Sequence, residues 1–212
     1  MYIGHYAAAA VLVTLVPDSP VIPIAVGVAW PDLVWPVLVL MGRERVTVGR
    51  NDPLQRSIRF DSYPFSHSLV LGNLFTLVPA AIVALLYDSV LIGMLFWVAA
   101  ISHWVLDLVV HMHDLPVLGF GGKDHKLGFG LWQYPRTAFV TEYILLATVV
   151  LLTARPTASV GLLSGGLFLH LLNANSFFGF SRRNPFSTPT RLALITLVGY
   201  IGAIAWFTLA WQ

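Results

Sequence analysis

Cysteine does not occur among the 212 residues of the chain. Its absence excludes disulfide bonds, a thiolate nucleophile, iron–sulfur clusters and cysteine-ligated zinc. Any metal centre must therefore use histidine, aspartate or glutamate side chains as ligands.

Charge is scarce as well, because only 10% of the residues are charged and 57% are hydrophobic. That balance excludes an ordinary soluble protein and is typical of a chain that resides in a membrane. The formal net charge is +2, from 12 basic and 10 acidic residues. So small a surplus provides no basic face for nucleic acid, which is not expected as the primary partner.

Long apolar runs account for most of the chain. A helix needs about 20 mostly apolar residues to cross the hydrocarbon core, and its backbone groups must be paired within the segment. The runs therefore predict an all-α fold, a polytopic membrane helix bundle of six or seven transmembrane helices that forms one domain over residues 1–212. The first run is short and is either a half-span or an interfacial helix. The predicted spans are residues 2–16, 21–41, 65–87, 89–112, 137–154, 157–175 and 191–211.

The basic residues predict the orientation of this bundle, because loops that collect Lys and Arg face the cytoplasm. Only Arg155 lies on one side of the predicted layout. The loops on the other side contain Arg43, Arg45, Arg50, Arg56, Arg59, Lys123, Lys126, Arg136, Arg182, Arg183 and Arg191. We therefore expect a cytoplasmic N-terminus and, after seven crossings, an external C-terminus.

Ionisable side chains are costly to place inside a bilayer, so each one is a candidate functional residue. The predicted spans contain His5, Asp32, His67, His103, Asp107, His111, Glu142 and His170. Since successive spans run in opposite directions, all of these except Asp32 are expected in the cytoplasmic part of the bundle. Asp32 lies nearer mid-membrane, where Pro31 and Pro36 predict a break that re-aims its carboxylate.

The fourth span carries three of these residues on one helix face. His103 and Asp107 are one turn apart and can chelate a single ion, whereas His111 lies about 12 Å from His103 along the axis. Asp107 is therefore predicted to bridge two ions. The alternative is a buried hydrogen-bond ladder that holds the helices together.

His67 and His5 are weaker candidates when each is taken alone. His67 follows a polar segment, residues 61–66, and is either a metal ligand or an interfacial histidine at a helix N-terminus. His5 is either a ligand or a solvated residue near the chain terminus. We interpret both as ligands because other ligand-type side chains are expected close to them.

Four short motifs occur in the order His5, Pro31-Asp32, Ser66-His67-Ser68 and His103-x-x-x-Asp107. This series resembles the inner-membrane metal-dependent hydrolases, which share an N-terminal His, a Pro-Asp motif, a Thr-His-Ser-like motif and His-x-x-x-Asp. The resemblance covers the first half of the chain and implies a hydrolase integral to the prokaryotic cytoplasmic (inner) membrane. The sequence departs from the pattern at Val34, where the family often has a second acid, and at residues 61–63, where it usually has His-Arg. These departures imply altered ligands or reduced metal occupancy.

The order of ligand types is also similar, more faintly, to the zinc-dependent phospholipase C and single-strand nuclease superfamily, whose members are all-α phosphodiesterases. Those enzymes end with a further His and a His-x-x-x-Glu motif that this sequence lacks. Equivalent atoms could come from separate helices through His111, Glu142 and His170.

Imidazole and carboxylate ligands without thiolate favour zinc, with manganese and iron as alternatives. We expect one or two divalent ions. The first ion is assigned to Asp32, His67, His103 and Asp107, and the second to His5 and His111 around a shared Asp107. Asp32 and Glu142 are also predicted as catalytic carboxylates, with Glu142 as the general base unless it pairs with Arg136.

The loop over residues 115–135 is rich in glycine and aromatic residues. It is either a lid whose Lys123, His125 or Lys126 contacts an anionic headgroup, or a surface loop with Trp132 and Tyr134 at the membrane interface. No role is assigned to His113.

The combined prediction is a membrane-embedded, metal-dependent hydrolase of phosphoesters in a lipid or lipid-linked substrate at the cytoplasmic face. The alternative is a metal-ion or proton-coupled transporter that uses the same His and Asp cluster. A third interpretation is a structural or partner-binding membrane protein without an ion. A transport path needs polar groups in both leaflets, so the depth of the cluster distinguishes the first two.

Overall fold

The structure, a computed structural model, describes residues 1–49, 51–120, 124–182 and 184–212. Within these ranges the chain is helical apart from two short antiparallel ribbons, which confirms the all-α prediction. The helices are α1 (His5–Leu15), α2 (Val21–Leu40), α3 (Pro64–His67), α4 (Leu71–Leu86), α5 (Val90–Val110), α6 (Pro135–Thr153), α7 (Pro156–Leu172), α8 (Asn175–Phe178) and α9 (Pro189–Trp211). The ribbons pair β1 (Arg45–Thr47) with β2 (Arg59–Ser62), and β3 (Leu115–Pro116) with β4 (Lys126–Leu127).

Among the described residues, four helices are long and apolar enough to cross a membrane: α2, α5, α6 and α9. The shorter apolar helices α1, α4 and α7 have 11, 16 and 17 residues. A 16-residue helix reaches about 24 Å, less than the roughly 30 Å of hydrocarbon. The helix set is therefore that of a membrane protein with four candidate spans, and the total of six or seven stays a prediction. Arg50, Lys123 and Arg183, used for the predicted orientation, lie outside the described residues.

The third predicted span, residues 65–87, is divided in the structure. Helix α3 ends at His67, Ser68 is extended with φ −84° and ψ 143°, and α4 begins at Leu71. The amides of residues 69–71 donate to the carbonyls of residues 116–118 at 2.9 to 3.2 Å. Because these backbone groups find partners in a distant segment, the chain can leave the helix here, and His67 is held on a separate short turn.

The predicted break in the second span is wrong, because α2 continues through Pro31 and Pro36. The helix packs against both α5 and α9, and its contact with α5 is close at Gly27. A Cβ at Gly27 would lie 2.7 Å from the Phe96 carbonyl oxygen. Tight packing on neighbouring helices stabilises a helix that lacks two amide donors, and it brings Asp32 opposite α5.

The two ends of the bundle have different interiors. Buried aliphatic and aromatic side chains from α1, α2, α6, α7 and α9 fill the end that contains Ile24, Val150 and Phe207. At the other end the β1–β2 ribbon packs over Trp35 and Trp104 in a separate apolar cluster. The polar cluster described below lies beside that second group.

The loop after α5 is more deeply packed than a surface loop. Leu115 is fully buried, and Trp132 is 7% exposed and lies against His111 with ring centroids 4.4 Å apart. The Trp132 side chain is therefore packed inside the protein, whereas Tyr134 is 65% exposed, and the placement of both at the membrane interface stays a prediction. The proposed lid contact by Lys123 falls outside the described residues.

Candidate metal centre

Asp107 lies at the centre of a buried group of imidazoles. Its Oδ2 atom is 3.2 Å from His103 Nε2, 3.5 Å from His111 Nε2 and 3.8 Å from His67 Nε2. Its Oδ1 atom is 3.3 Å from His5 Nε2. All four predicted histidine ligands thus reach one carboxylate, although they belong to three different helices and the turn that ends α5.

Asp32 approaches the same group from α2. Its Oδ1 atom is 3.3 Å from His67 Nε2, and its Oδ2 atom is 3.5 Å from His103 Nε2. The His5 ring stacks on the His103 ring with centroids 3.6 Å apart and an interplanar angle of 7°. The structure therefore brings together all six residues predicted as metal ligands.

Two sets of three ligand atoms are compact enough to hold a metal ion. One set comes from His5, His103 and Asp107, and the other from Asp32, His67 and His103, with all atoms of a set within 4.8 Å of one another. The residue common to both sets is His103, whereas the sequence predicted Asp107 as the shared ligand. His111 belongs to neither set.

The end of α5 explains how His111 reaches Asp107. The sequence-based separation of about 12 Å assumed that the helix continues through residue 111. Instead α5 ends at Val110, and His111 has φ −60° and ψ 146°. This extended residue turns its ring toward the same carboxylate oxygen that faces His103.

Hydrogen bonds fix the protonated nitrogen of His103. Its Nδ1 atom lies 2.7 Å from the Val28 carbonyl oxygen, which can only accept, so Nδ1 carries the hydrogen. In the neutral ring Nε2 then has the free lone pair. His103 Nε2 is completely buried and makes no hydrogen bond, as is the case for both ring nitrogens of His5. Such orphaned nitrogens beside carboxylates fit a divalent cation.

His67 is oriented by two successive hydrogen bonds, from His67 to Ser66 and from Ser66 to Glu44, which we call the relay. The Ser66 hydroxyl donates to Glu44 Oε2 at 2.6 Å, so Ser66 Oγ must accept from His67 Nδ1 at 2.7 Å. Glu44 Oε1 also accepts from the amides of Phe65 and Ser66. Burial raises the pKa of the Glu44 carboxyl, against the opposing effect of the Ser66 hydrogen bond. The relay leaves His67 Nε2 free to face Asp32 and Asp107.

His111 has an acidic partner outside the cluster. Its Nδ1 atom lies 3.0 Å from Asp114 Oδ1 and 3.2 Å from Tyr63 Oη. A carboxylate that holds one ring nitrogen sets the tautomer of the imidazole and directs the other nitrogen toward the metal. His67, His103 and His111 therefore share one arrangement: Nδ1 is held by an outer partner, and Nε2 points toward a central carboxylate.

Glu142 occupies a different position from the ligands. Its Oε1 atom accepts from the amides of Tyr2 at 2.5 Å and Gly4 at 3.0 Å, which anchors the start of the chain to α6. The Met1 amino nitrogen lies 2.5 Å from Asp107 Oδ1. Among the ion pairs found in the described part of the chain, none joins Glu142 to Arg136, so that alternative is not what the structure has.

His170 packs away from the cluster. Its Nε2 atom bonds the Phe139 carbonyl oxygen at 2.9 Å, and its ring stacks on Phe139 with centroids 3.8 Å apart. Phe177 completes this aromatic group. The possibility that His170 replaces a missing superfamily ligand therefore finds no support in its position.

Sequence reasoning missed two residues that orient the ligands. Asp114 follows His111 by three residues, a local spacing that could have suggested the pair. Glu44 lies more than twenty positions before its partner Ser66, on the far side of the β1–β2 ribbon, and no local signal connects them.

A cavity of about 480 Å³ reaches the cluster. Asp32, His67, Asp107, His111 and Glu142 line its inner end, and apolar side chains from α7, α8 and α9 line part of the remainder. A ligand can therefore occupy space directly beside the imidazoles and carboxylates.

The buried histidines and aspartates thus form a group that could hold a metal ion. No family model, curated protein or solved structure matches the chain, so the case for a site rests on this geometry.

Proposed function

We propose that the chain is a membrane-embedded, metal-dependent hydrolase that acts on phosphoesters of a lipid or lipid-linked substrate. The observation that carries the proposal is the common arrangement of His67, His103 and His111 around Asp107 beside a cavity. We further propose zinc as the metal, six or seven membrane crossings, and a site at the cytoplasmic face of a prokaryotic inner membrane.

The ion that each ligand would bind depends on which of its nitrogen or oxygen atoms makes no other bond. His103 has only Nε2 available, since Nδ1 is bonded to Val28, and one lone pair binds one ion at a time. His103 would therefore serve one of the two sets, and Asp107 Oδ1 would be available to a second ion once the Met1 amino group, 2.5 Å away, is displaced. A bound divalent cation supplies Lewis-acid chemistry that polarises a phosphoryl oxygen and activates water.

The chain's own contribution is to hold the donors and move a proton. Val28, Ser66 and Asp114 keep each Nδ1 engaged, which prevents the imidazoles from rotating out of the site. Asp32 and Asp107 supply the negative charge that offsets the cations. Glu142 Oε1 is occupied by two amides, so Oε2 is the oxygen that we propose accepts a proton from water.

The charge at the inner end of the cavity favours a cation site over direct binding of an anion. Three carboxylates, those of Asp32, Asp107 and Glu142, line the cavity there, against the single amino group of Met1. Without cations they would repel a phosphate group, whereas with cations the same charges position it.

The transporter alternative requires a polar path through the other leaflet. The far end of the bundle is packed with apolar residues such as Ile24, Leu162 and Phe207. Within the described part of the chain, the buried polar groups at that end include the hydroxyls of Ser159 and Thr208, and no Asp, Glu, His, Lys or Arg side chain is buried there. The one-sided placement of the cluster supports hydrolysis over transport.

Metal analysis of the detergent-purified protein tests the proposal. We expect about one or two zinc ions per wild-type chain and loss of zinc in Asp107→Ala, because the variant removes the central carboxylate. His170→Ala is the matched control and should retain the metal. Fewer than about half an ion per wild-type chain would overturn the proposal.

Activity is measured on the same preparations with dioleoyl phosphatidic acid in mixed micelles. Phosphate release by the wild-type protein that disappears in Asp107→Ala and persists in His170→Ala supports the hydrolase. Stoichiometric zinc with no release from this or a phosphodiester lipid would contradict it.

A further inference from the structure

The cavity at the metal centre continues outward between α7 and α9. Its outer lining includes Leu169 and Leu172 near the end of α7, and Ile195 and Val198 in the first half of α9. These side chains belong to helices with apolar surfaces, and one of the two helices is a candidate membrane span.

The two helices are in close contact from the middle of α7 toward their other ends, where Trp206 packs against Gly165 and Gly166. Trp206 Nε1 donates to the Gly161 carbonyl oxygen at 3.1 Å, and a Cβ at Gly161 would lie 3.2 Å from Ala210 Cβ. Toward the metal centre this contact gives way to the cavity. The pair therefore opens on one side only, at the end where the ligands lie.

With the first residue of α9 placed at the edge of the hydrocarbon core, the mouth of the cavity lies at the depth of lipid chains. Ile195 and Val198 are about 9 and 13 Å along α9 from its first residue, within the roughly 15 Å half-thickness of the hydrocarbon core. Leu172 is 68% exposed, Val198 70% and Ile195 42%. In a bilayer these exposed surfaces face acyl chains, so the opening is lateral.

The membrane-surface side of the cavity is covered by other segments. Gln55, Ile58 and Phe60 from the β1–β2 region line it, as does Phe186 from the segment before α9. With this cover, the cavity has a polar end that is almost closed to water and an apolar end that faces lipid. A lipid, with a polar headgroup and an apolar chain, has the same distribution of polarity.

We propose that the gap between α7 and α9 is a lateral portal for a membrane lipid. The hydrocarbon chain lies against Leu169, Leu172, Ile195 and Val198, and the phosphate-bearing headgroup lies beside Asp107 and His111. This assignment rests on the proposed function for the nature of the headgroup, but the portal itself is defined by the cavity. It restricts the substrate to lipids that enter from the bilayer rather than from water.

Photo-crosslinking tests the portal without any need for turnover. The probe is phosphatidic acid with a diazirine near the end of one acyl chain, in phosphatidylcholine vesicles that contain the full-length protein. We expect the labelled peptides to include residues 169–172 and 195–198, with yields about tenfold above those at lipid-exposed Leu152 and Leu209. Equal labelling at all of these positions would overturn the portal.

Two tryptophan variants on the same helix supply the control. Ile195→Trp adds bulk at the mouth, whereas Ile201→Trp adds the same bulk at a 56% exposed position that does not line the cavity. We expect Ile195→Trp to reduce portal labelling and hydrolysis of dioleoyl phosphatidic acid by about tenfold, and Ile201→Trp to change neither by more than about twofold. Similar behaviour of the two variants would reject the portal.

Failure of the portal and failure of the hydrolase give different results. Portal labelling that depends on Ile195, in a protein that lacks zinc or hydrolysis, keeps the lipid site and rejects the enzyme. Zinc-dependent hydrolysis with uniform labelling keeps the enzyme and rejects the portal.

Discussion

The two ends of this helix bundle bury different kinds of side chain. At the far end, buried residues such as Leu162 and Phe207 pack in an apolar cluster, as expected for a membrane interior. At the near end, the end that holds the metal centre, His5 on α1 and His103 and Asp107 on α5 are just as deeply buried. Burial of such groups is costly unless a partner offsets it. The contrast supports the proposal that the near end binds a cation, whereas the far end contributes to stability.

The largest expected effect on zinc affinity comes from a change at Asp107, the carboxylate at the centre of the ligand cluster. Asp107→Asn keeps the shape of the side chain but removes the charge that faces four imidazoles. We expect zinc affinity to fall by at least about a hundredfold, measured by competition with a chelator. Unchanged affinity would show that the near end does not hold a cation through this residue.

The far end should respond in stability instead. Leu162→Ala removes a fully buried side chain from the apolar cluster, and we expect a loss of about 2 to 5 kcal/mol in the free energy of unfolding. Zinc per folded chain should stay at the wild-type value. A loss of metal from the folded variant would break the division between the two ends.

The ligand-orienting relay should have an intermediate effect. Glu44→Gln removes the carboxylate that receives the Ser66 hydroxyl, so His67 is no longer held in one tautomer. We expect zinc affinity to fall by about 10- to 100-fold, the range for partners behind metal ligands. Asp18→Asn, an exposed change at the far end, is the control for loss of charge. Equal affinities of the two variants would show that the relay is purely structural.

The smallest effect on metal is expected at His170, which is buried at the near end but contacts Phe139 rather than the cluster. His170→Ala should change zinc affinity by less than about twofold while it lowers the melting temperature through lost packing. A substantial loss of zinc would extend the metal centre to α7.

Much of the centre could be predicted because it depends on local spacing. His103 and Asp107 share a helix face through the 3.6-residue period, and their burial in an apolar span marks them as candidates. The features that could not be predicted depend on tertiary contacts. The chain leaves the helix at Ser68 because its amides bond a distant segment, and α2 stays continuous through Pro31 because α5 and α9 pack against it.

The ionisable side chains singled out in the apolar spans do cluster in the structure, but the sequence did not determine how they divide between ions. Two compact sets share His103, because its ring lies between His5 and His67 in space. The role of Glu44 depends on a hydrogen bond to Ser66 that only the three-dimensional structure shows, whereas the three-residue spacing of His111 and Asp114 could have suggested their pairing.

X-ray absorption spectroscopy of the zinc-loaded protein tests the central idea most directly, because it reports the atoms bound to the ion. We predict nitrogen and oxygen neighbours at about 2.0 to 2.2 Å, with the outer-ring scattering of at least two imidazoles. A shell of oxygen atoms alone, without imidazole scattering, would contradict it.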